Sequence, residues 1–443
     1  MLWLFHDDRL IAWSTQPYSE EAVTMFSKAK PEIVVVGGGF GGLEAAYYLR
    51  MRLGTRAHIT IVSDHDYFLF KPNTIYIPFG LHPDKLKVDI AGPARRKKIT
   101  FVKDRVVEID PVAKVVATEQ QKLRYDYLVV ATGAGMRREE VPGLAEYAET
   151  VWTPQDMLRL ELAFYNLVEA AQAGNQRRVL FLVPPNNKCS GPLYEMVMML
   201  DTWLRRKEVR RNVEITWSTY EDSYIQAFGP RLHTTVTREF EQRGIIGHPR
   251  YAVKQIEQGG VHYQNGESLP YDLLVSFPPY TAAMSFAQLP HDERGFVVVE
   301  SATRQVVGHP EIYVVGDAAN FPIKQAFLAF LQADAAAEHL AAAVLGTEPA
   351  LAFEPVSMCV MEQFDTATFA QVPLRYTGIP ERPLEVAGGD QYRVGSSPVW
   401  RLGKVALGVY LPWRFGAGNP FHAGLPWRGM EAGLKIMSGV LAN

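Results

Sequence analysis

The stretch EIVVVGGGFGGLEAAYYLRMRL, residues 32–53, places a strand, a tight turn and a helix in immediate succession. The apolar, β-branched run 32–36 predicts a buried parallel strand. Residues 43–53 predict a helix, and AHITIV at 57–62 predicts a second strand. Together they form a strand–turn–helix–strand unit, the context in which a glycine-rich turn indicates a dinucleotide site.

Three glycines of the turn, Gly37, Gly39 and Gly42, occupy the places of the GxGxxG pattern. The first permits the tight turn, the second lets the backbone approach a pyrophosphate, and the third lets the helix pack on the sheet. The helix N-terminus adds N–H groups and the positive end of its dipole for the phosphates. A glycine-rich turn without a ligand is the alternative, and it does not explain why strand, turn and helix stand in register.

The acidic residue that usually bonds the adenosine ribose after the second strand is displaced in this sequence. Ser63 stands 21 residues after Gly42, and Asp64 follows it. Either side chain has an oxygen that can bond the ribose, and the spacing favours Ser63.

Two later strands complete the same unit. YDYLVVATGAG, residues 125–135, predicts a strand ending in small residues, which allow the chain to cross close to a dinucleotide. EIYVVGDAANFP, residues 311–322, predicts another strand, ending at Gly316 and Asp317, where an acid can bond a ribityl hydroxyl of a flavin. Asp317 alone also fits a loop acid or a helix cap, but the three segments in this order predict FAD. The small residues are Ala131, Thr132 and Gly133.

A second α/β block follows, with strands predicted at 178–185 and 212–218 and a helix at 191–207. It is built like another dinucleotide unit, but PPNNKCSG stands where GxGxxG belongs. Proline has no N–H to offer a phosphate, and the lysine and cysteine side chains occupy space that a pyrophosphate needs. The block is therefore not expected to bind NAD(P)H in the usual way.

The composition is that of a globular protein with a large core. The chain has 443 residues, 47% apolar and 21% charged, which predicts two or three domains. Its net charge of −3 gives no indication of nucleic-acid binding. Two cysteines and no CxxC motif or His/Cys cluster predict neither a disulfide framework nor a metal site. We find no signal peptide and no apolar stretch approaching the roughly 18–20 residues of a membrane span, so any membrane contact is expected to be peripheral.

The order of GGGFGG, DYFLFKPN (66–73), YDYLVVATG and YVVGDAANFPIKQA resembles the flavoproteins with two dinucleotide domains. That family includes disulfide reductases, type II NADH dehydrogenases, sulfide:quinone oxidoreductases and flavocytochrome c sulfide dehydrogenases. Three features resemble its sulfide-oxidising branch. They are Cys189 followed by GPLYE, Cys359 within PVSMCVMEQFDTATFAQVPL, and the C-terminal WRLGKVALGVYLPWRF at 400–415.

The resemblance implies an α/β fold with two Rossmann-like domains of the glutathione-reductase type and a C-terminal amphipathic helical region that binds membrane. Residues 31–150 and 295–345 would form the FAD-binding domain, after an N-terminal extension at 1–30. Residues 151–294 would form the second domain, and 346–443 would carry the second cysteine and the membrane and quinone end.

The implied activity is FAD-dependent oxidation of sulfide to sulfane sulfur or polysulfide, with electrons passed to membrane quinone. Sulfide would attack a disulfide or sulfur bridge between Cys189 and Cys359, and a lowered thiol pKa would favour the thiolate. Lys188 is either an electrostatic aid to Cys189 or simply solvated. Glu195 is either a proton acceptor near the sulfur site or an acid favoured by the helix dipole.

The resemblance assigns further positions to the ligands. Lys324 would lie near the flavin N1–C2 edge, where a cation stabilises reduced flavin. Two departures stand out: Trp152 replaces a third cysteine that many sulfide:quinone oxidoreductases have, and Ala227 stands in the place of a family histidine. The remaining cofactor positions are Lys71, Pro72 and Val106, and the quinone positions are Phe327, Lys404 and Tyr410.

The tail from Trp400 to Met437 interleaves aromatic and basic residues. Such a composition suits a membrane interface, and it predicts peripheral, monotopic attachment to the cell membrane. The sequence does not indicate which side of the membrane the protein binds. An amphipathic helix pair that closes the core or forms a dimer contact is the alternative, so a homo-oligomer also remains open.

Three other functions compete with the sulfide:quinone interpretation. A flavocytochrome-type sulfide dehydrogenase subunit would need a haem partner, and the tail argues against it. A type II NADH:quinone oxidoreductase would need the second nucleotide loop. A flavin-binding sensor or scaffold would show no turnover.

Overall fold

The computed structural model describes residues 29–379 and 383–442. The predicted N-terminal extension, 1–30, lies outside the described residues except for its last two positions. The strands are β1 Glu32–Val36, β2 His58–Ser63, β3 Tyr67–Leu69, β4 Lys87–Asp89, β5 Thr100–Lys103, β6 Val106–Asp110, β7 Val115–Thr118, β8 Lys122–Arg124, β9 Tyr127–Val130, β10 Ala134–Met136, β11 Glu149–Thr150, β12 Arg177–Val183, β13 Val213–Thr219, β14 Ile245–His248, β15 Val253–Glu257, β16 Gly260–Tyr263, β17 Ser268–Pro270, β18 Leu273–Ser276, β19 Tyr280–Ala282, β20 Gln305–Val306, β21 His309–Val314, β22 Val356–Glu362, β23 Ala367–Tyr376, β24 Leu384–Val386 and β25 Arg393–Ser397. The α-helices are α1 Phe40–Leu53, α2 Ala91–Arg96, α3 Leu144–Tyr147, α4 Pro154–Gln172, α5 Gly191–Arg206, α6 Gly229–Arg243, α7 Ala326–Leu345, α8 Pro398–Gly416 and α9 Gly424–Leu441.

The first large sheet has the strand order β20-β21-β9-β1-β2-β5. All neighbours are parallel except β20 and β21. Its central strand β1 is buried from Ile33 to Val36, as the β-branched run predicts for a sheet covered on both faces. The carboxyl ends of β1, β2, β9 and β21 meet at one edge, where ligands of such sheets bind.

The second large sheet has the order β11-β18-β12-β13-β14 and is parallel throughout. Trp217 on β13 stacks on Phe181 and packs against the tilted ring of Tyr194 in the core of this domain. Glu149 and Thr150 form β11 and pair with β18, although the prediction assigned them to the first domain. We therefore propose that the domain boundary lies just before Glu149.

The last part of the chain forms a separate antiparallel sheet. Strand β23 pairs with β22, β24 and β25, and Cys359 lies opposite Ala370 in the β22–β23 register. Helices α8 and α9 follow β25 and pack against this sheet. The second cysteine and the C-terminal helices are therefore parts of one unit.

Helix α7 corrects the expectation that no segment is long enough for a membrane span. Among the described residues it is a helix that is long and apolar enough to cross a membrane, judged by length and composition alone. Most of its residues are buried, and it packs along α1 over the first sheet. Its apolar composition thus matches a core helix, whose alanines let α1 approach closely.

Candidate functional site

A cavity of about 1120 Å³ runs along the carboxyl edge of the first sheet and continues to the C-terminal helices. Its walls come from the glycine turn after β1, the segments that follow β9 and β21, the start of α5, strand β22, and helices α8 and α9. The structure therefore brings together segments that lie more than three hundred residues apart in the sequence.

The glycine turn has the geometry that close packing demands. Gly37 has φ +116°, and a Cβ on it would lie 2.3 Å from the carbonyl oxygen of Ala131. A Cβ on Gly42 would lie 2.0 Å from the carbonyl oxygen of Gly37, whereas one on Gly39 would meet nothing within 4 Å. Helix α1 begins at Phe40, three residues earlier than predicted, with Gly39 as its N-cap. Gly39 thus borders the open cavity, while Gly37 and Gly42 are confined by the protein itself.

Gly39→Ala is expected to fold normally and to weaken FAD binding by at least about tenfold, because the added methyl occupies the space of the approaching phosphate. The backbone of Gly39, with φ −89°, tolerates alanine. Gly42→Ala is the contrasting variant, because its Cβ collides within the protein and should lower the thermal midpoint of the apoprotein. Flavin titration and thermal unfolding of both variants measure the difference. Equal FAD affinity of Gly39→Ala and wild type would contradict this placement of the phosphate.

The two ribose candidates both line the cavity. Ser63 ends β2 and is buried, and its Oγ accepts a hydrogen bond from the His65 N–H at 3.3 Å. The Asp64 carboxylate is more exposed and lies 2.7 Å from Nδ1 of His65. The structure leaves both oxygens at the cavity, so the choice between them stays a prediction.

The other residues predicted for the cofactor surround the same space. Thr132 Oγ1 is buried without a hydrogen-bond partner, as expected of a group that a ligand satisfies. Gly42, also predicted for the cofactor, does not line the cavity and is packed inside the glycine turn. The cavity-lining positions are Gly37, Gly39, Ser63, Asp64, Lys71, Pro72, Val106, Ala131, Thr132, Gly133, Gly316, Asp317 and Lys324.

Two lysines and one acid set the charge of this region. Lys324 is buried, its Nζ lies 3.6 Å from the centre of the Phe296 ring, and it donates to the carbonyl oxygen of Ala319. Burial lowers the pKa of Lys324 to about 7, although the Asp317 carboxylate acts in the opposite direction. Burial likewise raises the pKa of Asp317, against the charges of Lys324 and Lys71.

Trp152, which stands where a third cysteine was expected, is part of the wall. The Lys71 Nζ lies 3.8 Å from the centre of its ring, and the ring also packs against Phe277 and Tyr280. Ala227 is exposed on a short 3₁₀ segment outside the cavity lining, next to Phe228, which does line it. Aromatic side chains thus form the part of the cavity wall where the resemblance would place a third cysteine.

The two cysteines line the same cavity. Cys189 stands just before α5, and its N–H donates to Oδ1 of Asn187 at 3.0 Å. Cys359 lies in the middle of β22, and both are free thiols. Burial raises the pKa of Cys189, with further contributions from the charges of Cys359 and Asp317. Burial also raises the pKa of Cys359 to about 12, with Glu195 adding to the shift and Lys404 opposing it.

These shifts are opposite to the lowered thiol pKa that would favour the thiolate. Lys188 beside Cys189 is partly buried, and burial and the charge of Arg294 lower its pKa. The choice between its two roles stays a prediction. A thiol in this cavity therefore needs a nearby proton acceptor to become a thiolate at neutral pH.

Glu195 is placed to be that acceptor. It is buried on α5, and its Oε1 accepts the Glu362 N–H at 2.7 Å and forms an ion pair with Nζ of Lys404. The carboxylate therefore points to β22 and α8 instead of capping the N–H groups of its own helix. Burial raises its pKa, and Lys404 opposes that shift.

The three residues predicted for quinone are not equivalent. Phe327 and Lys404 line the cavity, and Lys404 is engaged with Glu195. Tyr410 lies outside the lining, with its hydroxyl 3.5 Å from the carbonyl oxygen of Phe421. The structure thus brings two of the three to the cavity.

A buried cluster of Glu44, Asp334 and His422 was missed from the sequence. Glu44 accepts the N–H groups of Phe421 and His422, and Nδ1 of His422 lies 2.6 Å from Oδ2 of Asp334. Burial raises the pKa of Asp334 to about 7 and lowers that of His422 to about 4. The three ligand-type atoms lie within 4.8 Å of one another, and their contacts tie the α8–α9 connection to α1 and α7. The sequence signal for this cluster was Glu44, an acidic residue within the apolar helix that follows the glycine turn.

Comparison with known proteins agrees with this architecture. A family of pyridine nucleotide-disulphide oxidoreductases matches residues 31–176 and 207–338. The chain belongs to this family. The family match leaves out 177–206, which contains β12, the altered second loop and Cys189. The predicted FAD cofactor and α/β fold class are confirmed for this oxidoreductase family member, and the cavity residues fit FAD.

Several relatives carry more specific names. The sulfide-quinone reductase of Aquifex aeolicus is 31% identical over 251 residues, 55% of this chain and 56% of that protein. The mitochondrial sulfide:quinone oxidoreductase of Dictyostelium discoideum is 26% identical over 66% of both chains. The type II NADH:quinone oxidoreductase NdhA of Mycobacterium tuberculosis is 24% identical over 64% of this chain and 65% of that one. The oxidoreductase thus spans between half and two thirds of these relatives.

Among solved structures, the sulfide:quinone oxidoreductase of Aquifex aeolicus superposes with a TM-score of 0.79. It is 24% identical, and the alignment covers 93% of this chain and 96% of that one. The likeness shows that the oxidoreductase shares this fold over nearly its full length.

Proposed function

We propose that this oxidoreductase is a sulfide:quinone oxidoreductase that oxidises sulfide through Cys189 and Cys359. The observation that carries the proposal is the position of both cysteines in one cavity with the FAD-binding segments. The charge of Cys359 adds to the raised pKa of Cys189, which burial dominates. The relatives named for this activity add support.

The proposed chemistry needs a sulfur bridge between the two cysteines in the oxidised protein. Hydrosulfide attacks one sulfur, the bridging S–S bond breaks, and the products are a persulfide on one cysteine and a thiolate on the other. FAD, which the glycine turn and the segment at Asp317 would hold, would supply the acceptor for the electron pair and its route to quinone. A second sulfide, or another acceptor, removes the sulfane sulfur. Glu195 takes up a proton released at the sulfur site.

The second nucleotide loop supports sulfide over NADH as the electron donor. Asn187 fills the loop after β12, and its Nδ2 donates to the carbonyl oxygen of Phe277 at 2.8 Å. The side chain of Cys189 follows at the position where a pyrophosphate would meet the helix N-terminus. Side chains therefore occupy the space that a nicotinamide dinucleotide needs.

We also propose that α8 and α9 attach the protein peripherally to a membrane. Large apolar side chains are exposed along α8 every three or four residues, which places them on one helix face. Exposed basic residues, Arg428 and Lys435, accompany them on α9. These side chains are mostly aliphatic, because Trp400, Phe415 and Phe421 of the tail pack inward. The exposed apolar positions are Val399, Leu402, Val405, Val409 and Trp413 on α8, and Leu425, Ile436 and Val440 on α9.

Anaerobic absorption spectra of the FAD-loaded protein test the proposal. Sulfide is expected to bleach the flavin within the mixing time of a manual assay, and a soluble quinone should restore the oxidised spectrum. NADH is expected to leave the flavin oxidised. Bleaching by NADH and not by sulfide would assign the protein to the type II NADH:quinone oxidoreductases. Bleaching by neither reductant would indicate a flavin-binding protein that does not catalyse either reaction.

A further inference from the structure

Helix α8 brings two cations to the cysteine strand from one of its faces. Arg401 and Lys404 are three residues apart, so they project on the same side of the helix. The Nε of Arg401 donates to Oε1 of Glu362 at 2.9 Å, and the Nζ of Lys404 pairs with Oε1 of Glu195. Since the Glu362 N–H also donates to Glu195, the two ion pairs lie side by side.

The Lys404 pair is anchored beside Cys359. Its Nζ donates a second hydrogen bond to the carbonyl oxygen of Val360 at 2.9 Å, one residue after the thiol. The side chains of Lys404 and Glu195 are 9% and 8% exposed, so neither charge is solvated once its partner is removed. An ammonium has three donors, and two of them are already used inside the protein. This leaves Lys404 poorly placed to be a free donor to a quinone carbonyl.

We propose that Lys404 is a positioning residue of the sulfide half-reaction, which holds Glu195 ionised and oriented towards Cys359. This inference rests on the proposed function. The step it serves is a proton transfer without change in oxidation state: an S–H at the cysteine site loses its proton, and the Glu195 carboxylate becomes a carboxylic acid. The electron pair of the S–H bond stays on sulfur. Lys404 is thereby moved from the quinone pocket of the prediction to the sulfur site.

Other titratable groups also face Glu195, and they define what a pH profile measures. The Tyr76 hydroxyl donates to Oε2 of Glu362 at 2.6 Å, and burial together with Glu362 and Glu195 raises the pKa of Tyr76. Removal of the Lys404 charge should raise the pKa of Glu195, because the opposing cation is lost while burial and Glu362 remain. The groups around Glu195 are Lys404 and Arg401 on α8, Cys359 and Glu362 on β22, Tyr76 on the 3₁₀ segment Lys71–Phe79, and Cys189 before α5.

The test is the pH dependence of anaerobic, sulfide-driven flavin bleaching in the FAD-loaded Lys404→Met variant. The ascending limb, where the bleaching rate rises with pH as Glu195 loses its proton, is expected to move to higher pH. The expected shift is about one unit or more, because a carboxyl group that loses an opposite charge at contact distance has its pKa raised by that much. On the ascending limb itself, below the pKa of Glu195 in wild type, the rate at a given pH should fall by about tenfold, which follows from a shift of one unit. Lys404→Arg keeps the charge and should leave the limb close to that of wild type. Lys404→Gln measures the same limb if the methionine variant yields no folded protein.

Arg401→Gln is the matched control, because it removes a cation from the same helix face but from the other ion pair. It should move the limb by clearly less than the uncharged Lys404 variants do, because Arg401 pairs with Glu362 and not with Glu195. An unshifted limb in both uncharged Lys404 variants, together with a raised KM for soluble quinone, would overturn the inference and return Lys404 to the quinone pocket. Absence of bleaching in wild type would instead refute the proposed function.

Discussion

Cys189→Ala and Cys359→Ala are each expected to slow sulfide-driven flavin reduction by roughly a thousandfold or more, since residues that act as a unit lose nearly all activity singly. Each substitution removes one sulfur of the proposed bridge, so hydrosulfide has no S–S bond to attack. FAD should remain bound, because the glycine turn and the segment at Asp317 do not depend on either thiol. Stopped-flow mixing of anaerobic sulfide with each variant measures the loss.

The flavin content of each purified variant is the control for this experiment. An FAD-to-protein ratio equal to that of wild type shows that the cavity is intact, since both thiols line it. Serine variants test whether the sulfur itself matters, because they retain a hydroxyl of similar size. Near-normal bleaching in either alanine variant would show that the two cysteines are structural and that the proposed route is wrong.

The double variant Leu402→Glu/Val409→Glu is expected to lower membrane partitioning by about a hundredfold or more. Each leucine or valine that leaves water contributes about 1.5–3 kcal/mol, and a carboxylate on the same face opposes insertion. Both side chains are exposed on the outer face of α8, so their replacement should not disturb the core. Vesicle sedimentation measures partitioning. Reduction of quinone in the vesicles should fall in parallel, while bleaching by sulfide in solution stays near the wild-type rate.

Leu162→Glu/Val112→Glu is the matched control, because it adds the same two charges at exposed apolar positions outside the C-terminal helices. This variant should sediment with vesicles as wild type does. If the α8 variant sediments equally well, another surface binds the membrane and the proposed role of α8 is refuted.

Local patterns predicted the first sheet and its ligand edge well, because the evidence for them is contained in short segments. The β-branched run 32–36, the glycine turn and the strand before Gly316 are each defined by neighbours within about ten residues. Even so, helix α1 begins at Phe40 and not at position 43. The close packing of Gly42 on Gly37 starts the helix inside the glycine turn, and composition does not reveal that packing.

The parts of the site that depend on long-range packing were not predictable in the same way. Only the fold shows that Cys189 and Cys359 share a cavity and that Lys404 meets Glu195. The aromatic residues of the tail were interpreted as a sign of a membrane interface, yet Trp400 stacks on Phe369 in the interior. Aromatic side chains suit both a core and an interface, so composition could not separate the two.

Helix α8 limits how the protein can be shortened. A chain ended at Ser397 to obtain a water-soluble form would lose Arg401 and Lys404 along with the apolar outer face. Glu195 and Glu362 would then be enclosed carboxylates without their cations, which is strongly destabilising. Such a deletion would impair the cysteine pocket together with the proposed membrane-binding face, so point substitutions on the outer face of α8 are the way to separate the two.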